Sequence, residues 1–188
     1  GLALLRPSAM DGSFEEREFV QGSWYFAADL VTDGHQAEAI DVLREAIEIC
    51  ERNIEKSPYF FTYRTADRCS QLGELLESKG GHEAEAEQLF KRAIEITEEM
   101  VDGASTIQWG WSDTKHVADP NDLYSMSDNL IRRYQDLAKF LRRQGRDDEA
   151  KIYEDKIVGV RPLSIEKMKL NIAQNLNKTL YLTVTGKD

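Results

Sequence analysis

The side chains best suited to chemistry in this chain are three histidines, His35, His82 and His116, and two cysteines, Cys50 and Cys69. A nucleophilic site needs a base within reach and a third group to orient that base. The spacing here offers no such set. His35 and His82 fall at corresponding turns between helices, where an exposed polar residue is expected, and His116 falls in a long connection. A metal site needs several convergent donors. Asp113, Asp119 and Asp122 lack the Asp-x-Asp-x-Asp-Gly spacing of a calcium loop. There is no GxxxxGK[ST] phosphate loop, no HExxH and no dinucleotide fingerprint. Cys50 and Cys69 stand among apolar neighbours at helical spacing, as small core residues do, and form no CxxC pair. The expectation is a chain with no catalytic residues, no metal and no cofactor, in a reducing, cytoplasmic setting.

Charge narrows the partners. The formal net charge is −10. An acidic chain is repelled by nucleic acid and by anionic membrane surfaces, so neither is expected. No apolar run reaches the roughly 18 residues of a membrane span. The sequence opens on Gly1 without a Met, and the expectation is an excised part of a longer protein.

Helix punctuation is clear. Ser13 followed by Glu16 forms a capping-box pattern, in which the hydroxyl takes a free backbone N–H and Glu16 reaches back to the cap. Gly34, Gly80-Gly81 and Gly145 stop helices. Ser57-Pro58 and Asp119-Pro120 start them as cap plus first-turn proline. The organisation read from these signals is an N-terminal extension (1–12), three helix hairpins over 13–162 (13–57, 58–101 and 119–162) and an insertion at 102–118. A capping helix (163–178) and a tail (179–188) complete it. The fold class is all-α, of about seven helices.

The hairpins share one apolar pattern. The third carries Tyr134, Leu137, Ala138, Leu141, Gly145, Ala150, Ile157 and Pro162; the second Leu72, Gly73, Leu76, Gly80, Ala86, Phe90 and Ala93; the first Phe26, Ala27, Leu30, Gly34, Ala39, Leu43 and Ala46. Two antiparallel helices approach closely only where small residues face each other, so Ala27 must meet Ala39. This pattern resembles the tetratricopeptide repeat family. The resemblance implies a short α-solenoid of stacked hairpins, and the Lys91–Ile96 stretch of the second hairpin is similar to the long-helix repeats of kinesin light chains. Two departures stand out. Glu154 occupies a position where a large apolar residue is usual, and the neighbouring Tyr153 is placed to cover it. The corresponding alanines, Ala39, Ala86 and Ala150, are 47 and 64 residues apart, against about 34 for the family repeat.

The resemblance implies a protein-binding module whose groove is lined by the first helix of each hairpin. Groove positions carried over to the third hairpin are Arg132, Gln135, Lys139 and Arg143, and Trp24 takes one on the first. Spacings of 7 and 4 put the three charges on one helical face, a cradle for an acidic partner segment, or else a solvated face neutralised by its neighbours. The carboxylate clamp of chaperone-binding members is disfavoured by Trp24, Ala28 and Gln71 at the positions it needs. Trp109 and Trp111 make the long connection a second contact candidate, or else fold back as a plug. Tyr59, Phe60, Phe61 and Tyr63 are expected between the first two hairpins. The competing readings are a self-associating structural module, with copies pairing through open hairpin faces, and a regulatory segment attached to a catalytic domain elsewhere.

Overall fold

The structure is a computed structural model, and it describes residues 14–103 and 120–160. Five helices run α1 (Phe14–Thr32), α2 (Gln36–Asn53), α3 (Pro58–Lys79), α4 (Glu83–Gly103) and α5 (Pro120–Arg143). A sixth, α6, spans 147–160. Among the described residues the fold is therefore all-α, with the helices paired into hairpins by short turns. The expected capping helix, the N-terminal extension, the tail and Pro162 lie outside the described residues. The helices fall into two units divided inside α4, between Thr97 and Glu98.

The turns follow from the glycines. At Gly34 φ is +85°, the left-handed conformation that only glycine adopts cheaply. It lets His35 N–H reach Leu30 O at 2.7 Å and Gly34 N–H reach Val31 O at 3.1 Å, satisfying carbonyls that the end of α1 leaves open. Gly145, at φ +73°, repeats the device between α5 and α6, with Arg146 N–H to Leu141 O at 2.9 Å.

In the first unit the small residues sit where close approach requires them. Ala27, Ala39, Ala46, Ala86 and Ala93 are all buried. A Cβ added at Gly73 on α3 would lie 3.2 Å from the Phe90 ring and 3.3 Å from Ala86 O on α4, so this helix pair is as close as its side chains permit. Helix α3 packs on both α2 and α1, the stacking step that joins one hairpin to the next. Phe61 enters a core cluster with Val20, Ile49 and Cys50, and Phe60 packs beside it. Tyr59 and Tyr63 instead stack on each other, half-buried, with ring centres 6.4 Å apart.

The Ser13 partner of the expected capping box lies outside the described residues, and Glu16 has a further role. Its carboxylate is fully buried and reaches across to the end of α2, accepting from Arg52 Nη2 and Asn53 Nδ2, each at 2.8 Å. A buried carboxylate is tolerated when charge-assisted bonds replace its water, and α2 supplies two. A second polar anchor joins α3 to α1. Arg68, 2% exposed, donates to Val20 O at 2.6 Å, to Ser23 Oγ at 2.7 Å and to Gln71 Oε1 at 2.7 Å. Two ion pairs, Arg44 with Glu85 and Glu51 with Arg92, join α2 to α4.

Burial also sets a pH limit. It pushes the Cys50 thiol up to about 12, from 9.0. In the second unit, burial and the hydrogen bond to Glu98 raise the Tyr134 phenol above its ordinary 10.0. Both groups are held neutral by the fold. Their contribution is complete below the unfolded pKa and is lost as pH rises through the window towards the folded one. Stability should therefore fall from pH 9 upward, by about 1 kcal/mol at pH 10 from Cys50 alone. Urea midpoints measured at pH 8 and pH 10 check this, and Cys50→Ala should flatten the slope.

Candidate functional site

The second unit is built around the start of α5 and its hairpin with α6. Leu130, Tyr134, Leu137, Ala138 and Leu141 bury one face of α5, and Ala150 and Ile157 bury the facing side of α6. Glu98, from the end of α4, accepts from the Tyr134 hydroxyl and from Lys156 Nζ, the latter at 2.9 Å. Burial opposes the charge on Glu98, but these two donors outweigh it and hold the carboxyl below its ordinary range. Tyr153 lies against Tyr134 with ring centres 6.1 Å apart, and Lys156 sits over both rings. Tyr153 thus fills the place that Glu154 leaves unfilled.

Glu154 has a different task. Its two carboxylate oxygens take a two-pronged contact from Arg142, Nε to Oε1 at 3.0 Å and Nη2 to Oε2 at 2.9 Å, and Arg142 Nη1 reaches Asp147 at 3.1 Å. The contact raises the Arg142 pKa, chiefly through the hydrogen bond to Glu154. Arg146 pairs with Glu149 in the same way, at 2.6 Å. Arg133 is buried. Arg142, and Arg146 in the turn after α5, are thus engaged by the hairpin itself, and burial keeps Arg133 from the surface.

The other basic residues of α5 face water. Arg132, Lys139 and Arg143 are exposed and lie at helical spacing along one face, with Gln135 half-buried in the same row. Arg132 donates locally to Asn129 Oδ1 at 2.7 Å, and Lys139 lies 3.5 Å from Asp136, one turn away along α5. Both contacts are exposed or partly so, and both stay within α5. The structure therefore sorts one basic helix into a structural set and a solvent-facing stripe. Its four residues are those assigned to groove positions from the sequence.

In the first unit, Trp24 is half-buried on α1. Trp109 and Trp111 lie outside the described residues. His35 and His82 sit at their turns as expected, each beside a glutamate three residues on, at 2.9 Å (Glu38) and 3.8 Å (Glu85). Sequence reasoning missed a cleft of about 200 Å³ where α1 meets the start of α3, lined by Phe14, Arg17, Gln21, Ser57, Tyr59 and Phe60. The Arg17 guanidinium lies over the Phe60 and Phe61 rings, at 5.5 and 5.8 Å from their centres. The available signal was the aromatic run at the head of α3, but its partner is some 40 residues away on α1.

Hairpins of this build, with small residues at the crossings and glycine turns, define a helical-repeat module. Residues 65–102, from α3 through most of α4, match the family model of the tetratricopeptide repeat. Repeats of this family are protein-interaction and scaffolding modules, typically without catalysis of their own. No curated protein matches the chain. Among the described residues, no helix is long and apolar enough to cross a membrane.

Proposed function

We propose that this chain binds a segment of another protein, and that the exposed stripe of α5 is the contact surface for an acidic stretch of that partner. The observation that carries the reading is the division of labour on one helix. Arg142 holds Asp147 and Glu154 of α6, while Arg132 and Lys139 keep their contacts within α5 and lie exposed in a straight row with Gln135 and Arg143. Guanidinium groups favour carboxylates because the fork of donors matches two oxygens. An acidic segment is also steered towards a basic stripe on a chain of net charge −10. Trp24, Trp109 and Trp111 are proposed as apolar contacts of the same partner. Cytoplasmic residence and the three-hairpin organisation with a capping helix at 163–178 are proposed with it.

The test is titration of fluorescein-labelled Asp- and Glu-rich peptides into the protein and into the double variant Arg132→Glu, Lys139→Glu. The variant should melt as the parent does, since both side chains are exposed, and should bind at least about tenfold more weakly. Binding to the parent should also weaken as salt is raised. Unchanged binding by the double variant would place the site elsewhere.

A further inference from the structure

The outward face of α1 has three features that its own packing leaves unused. Phe14 and Tyr25 are 78% and 73% exposed. They are eleven residues apart, which is three helical turns, so they lie on one stripe together with Glu18, Gln21 and Asp29. Gly22 lies beside this stripe in the middle of a 19-residue helix, and a Cβ built there meets nothing within 4 Å. Gly73 has a reason in the fold, because Phe90 crosses it; Gly22 has none. An interior glycine costs a helix stability, and its physical use is to let another backbone approach closely. At the N-terminal end of the stripe the cleft between Phe14, Tyr59 and Phe60 offers room for one large side chain.

Charge fixes the chemistry of the occupant. Glu15, Glu18 and Asp29 are exposed on this side of α1 and have no ion-pair partner among the described residues, whereas Arg44, Glu85, Arg92 and Glu51 on α2 and α4 are paired. Arg17 is the one basic residue of α1, and its face is turned onto Phe60 and Phe61. We infer that this face of α1 is a docking site for a basic amphipathic helix of a partner protein. The partner helix crosses α1 over Gly22, packs apolar side chains on Phe14 and Tyr25, seats one large residue in the cleft, and sets lysines or arginines against Glu15, Glu18 and Asp29. This is helix-on-groove recognition, on a different helix from α5 and with a partner of the opposite charge.

A fluorescein-labelled amphipathic peptide with leucines on one face and lysines on the other is the probe, and its counterpart with glutamates for lysines is the control. The lysine peptide should bind and the glutamate peptide should not. Gly22→Leu should weaken binding at least about tenfold by blocking the crossing, and Glu18→Lys with Asp29→Lys should do the same by reversing the charge. Gly22→Ala should raise the melting temperature, because the fold does not need the glycine. No binding of the lysine peptide, equal binding of both peptides, full affinity in Gly22→Leu, or a lower melting temperature in Gly22→Ala would each overturn the inference. Pairing of two copies through Gly22, seen as a concentration-dependent mass that Gly22→Leu abolishes, would also overturn it.

Discussion

Replacing Ala39 with arginine lowers the unfolding free energy by about 4 kcal/mol or more, and in a marginal preparation the first unit does not fold. Ala39 is fully buried at the start of α2, in the crossing with α1 where Ala27 is 1% exposed. The long side chain must either push the two helices apart or carry a guanidinium into a space closed to water. Overpacking alone costs about 1–3 kcal/mol, and an unpaired buried charge adds to it. Ala150→Arg makes the same test of the second unit, where α5 and α6 cross. Urea unfolding followed by circular dichroism measures both variants. Melting like the parent in both would mean that these alanines are not the crossing points.

Arg68→Met comes second in size, with an expected loss of about 3 kcal/mol. Methionine keeps much of the stem's volume, so the loss reports the guanidinium's bonds more than a cavity. The group donates to a backbone oxygen and a hydroxyl of α1 from a position on α3, and thus fastens the first hairpin to the second. Burial works against its charge and lowers its pKa, which makes those acceptors the condition for its being there. A double-mutant cycle with Ser23→Ala isolates one bond of the set. A coupling near zero would mean that Arg68 holds α1 through the Val20 and Gln21 carbonyls.

The hairpins were legible because their signals are local. Gly34 and Gly145 need positive φ within one turn, and the small residues at Ala27, Ala39, Gly73 and Ala86 recur at helical spacing. The polar side chains were less legible, because their partners are distant in sequence. Glu16 reads as a cap from its neighbour Ser13, yet it bonds to residues 36 and 37 positions away. Arg142 and Arg132 look alike in the sequence of α5; only the return of α6, bringing Glu154 twelve residues on, separates a structural arginine from a surface one. The cleft between Phe14 and Phe60 needed the contact of α1 with α3, which no periodicity within either helix encodes.

The two ion pairs between α2 and α4 have a consequence for how such arrays grow. Arg44 meets Glu85 and Glu51 meets Arg92, each pair spanning 41 residues. The second helix of one hairpin thus presents plus then minus, and the second helix of the next presents minus then plus. The two patterns match only when the helices run in the same direction and in this register; reversing one of them, or stacking a hairpin on a copy of itself, sets like charge against like. Each exposed pair adds little energy, but together they act as an address. A duplicated or transposed hairpin would meet the wrong neighbour, so recombination among these repeats is constrained by order as well as by shape.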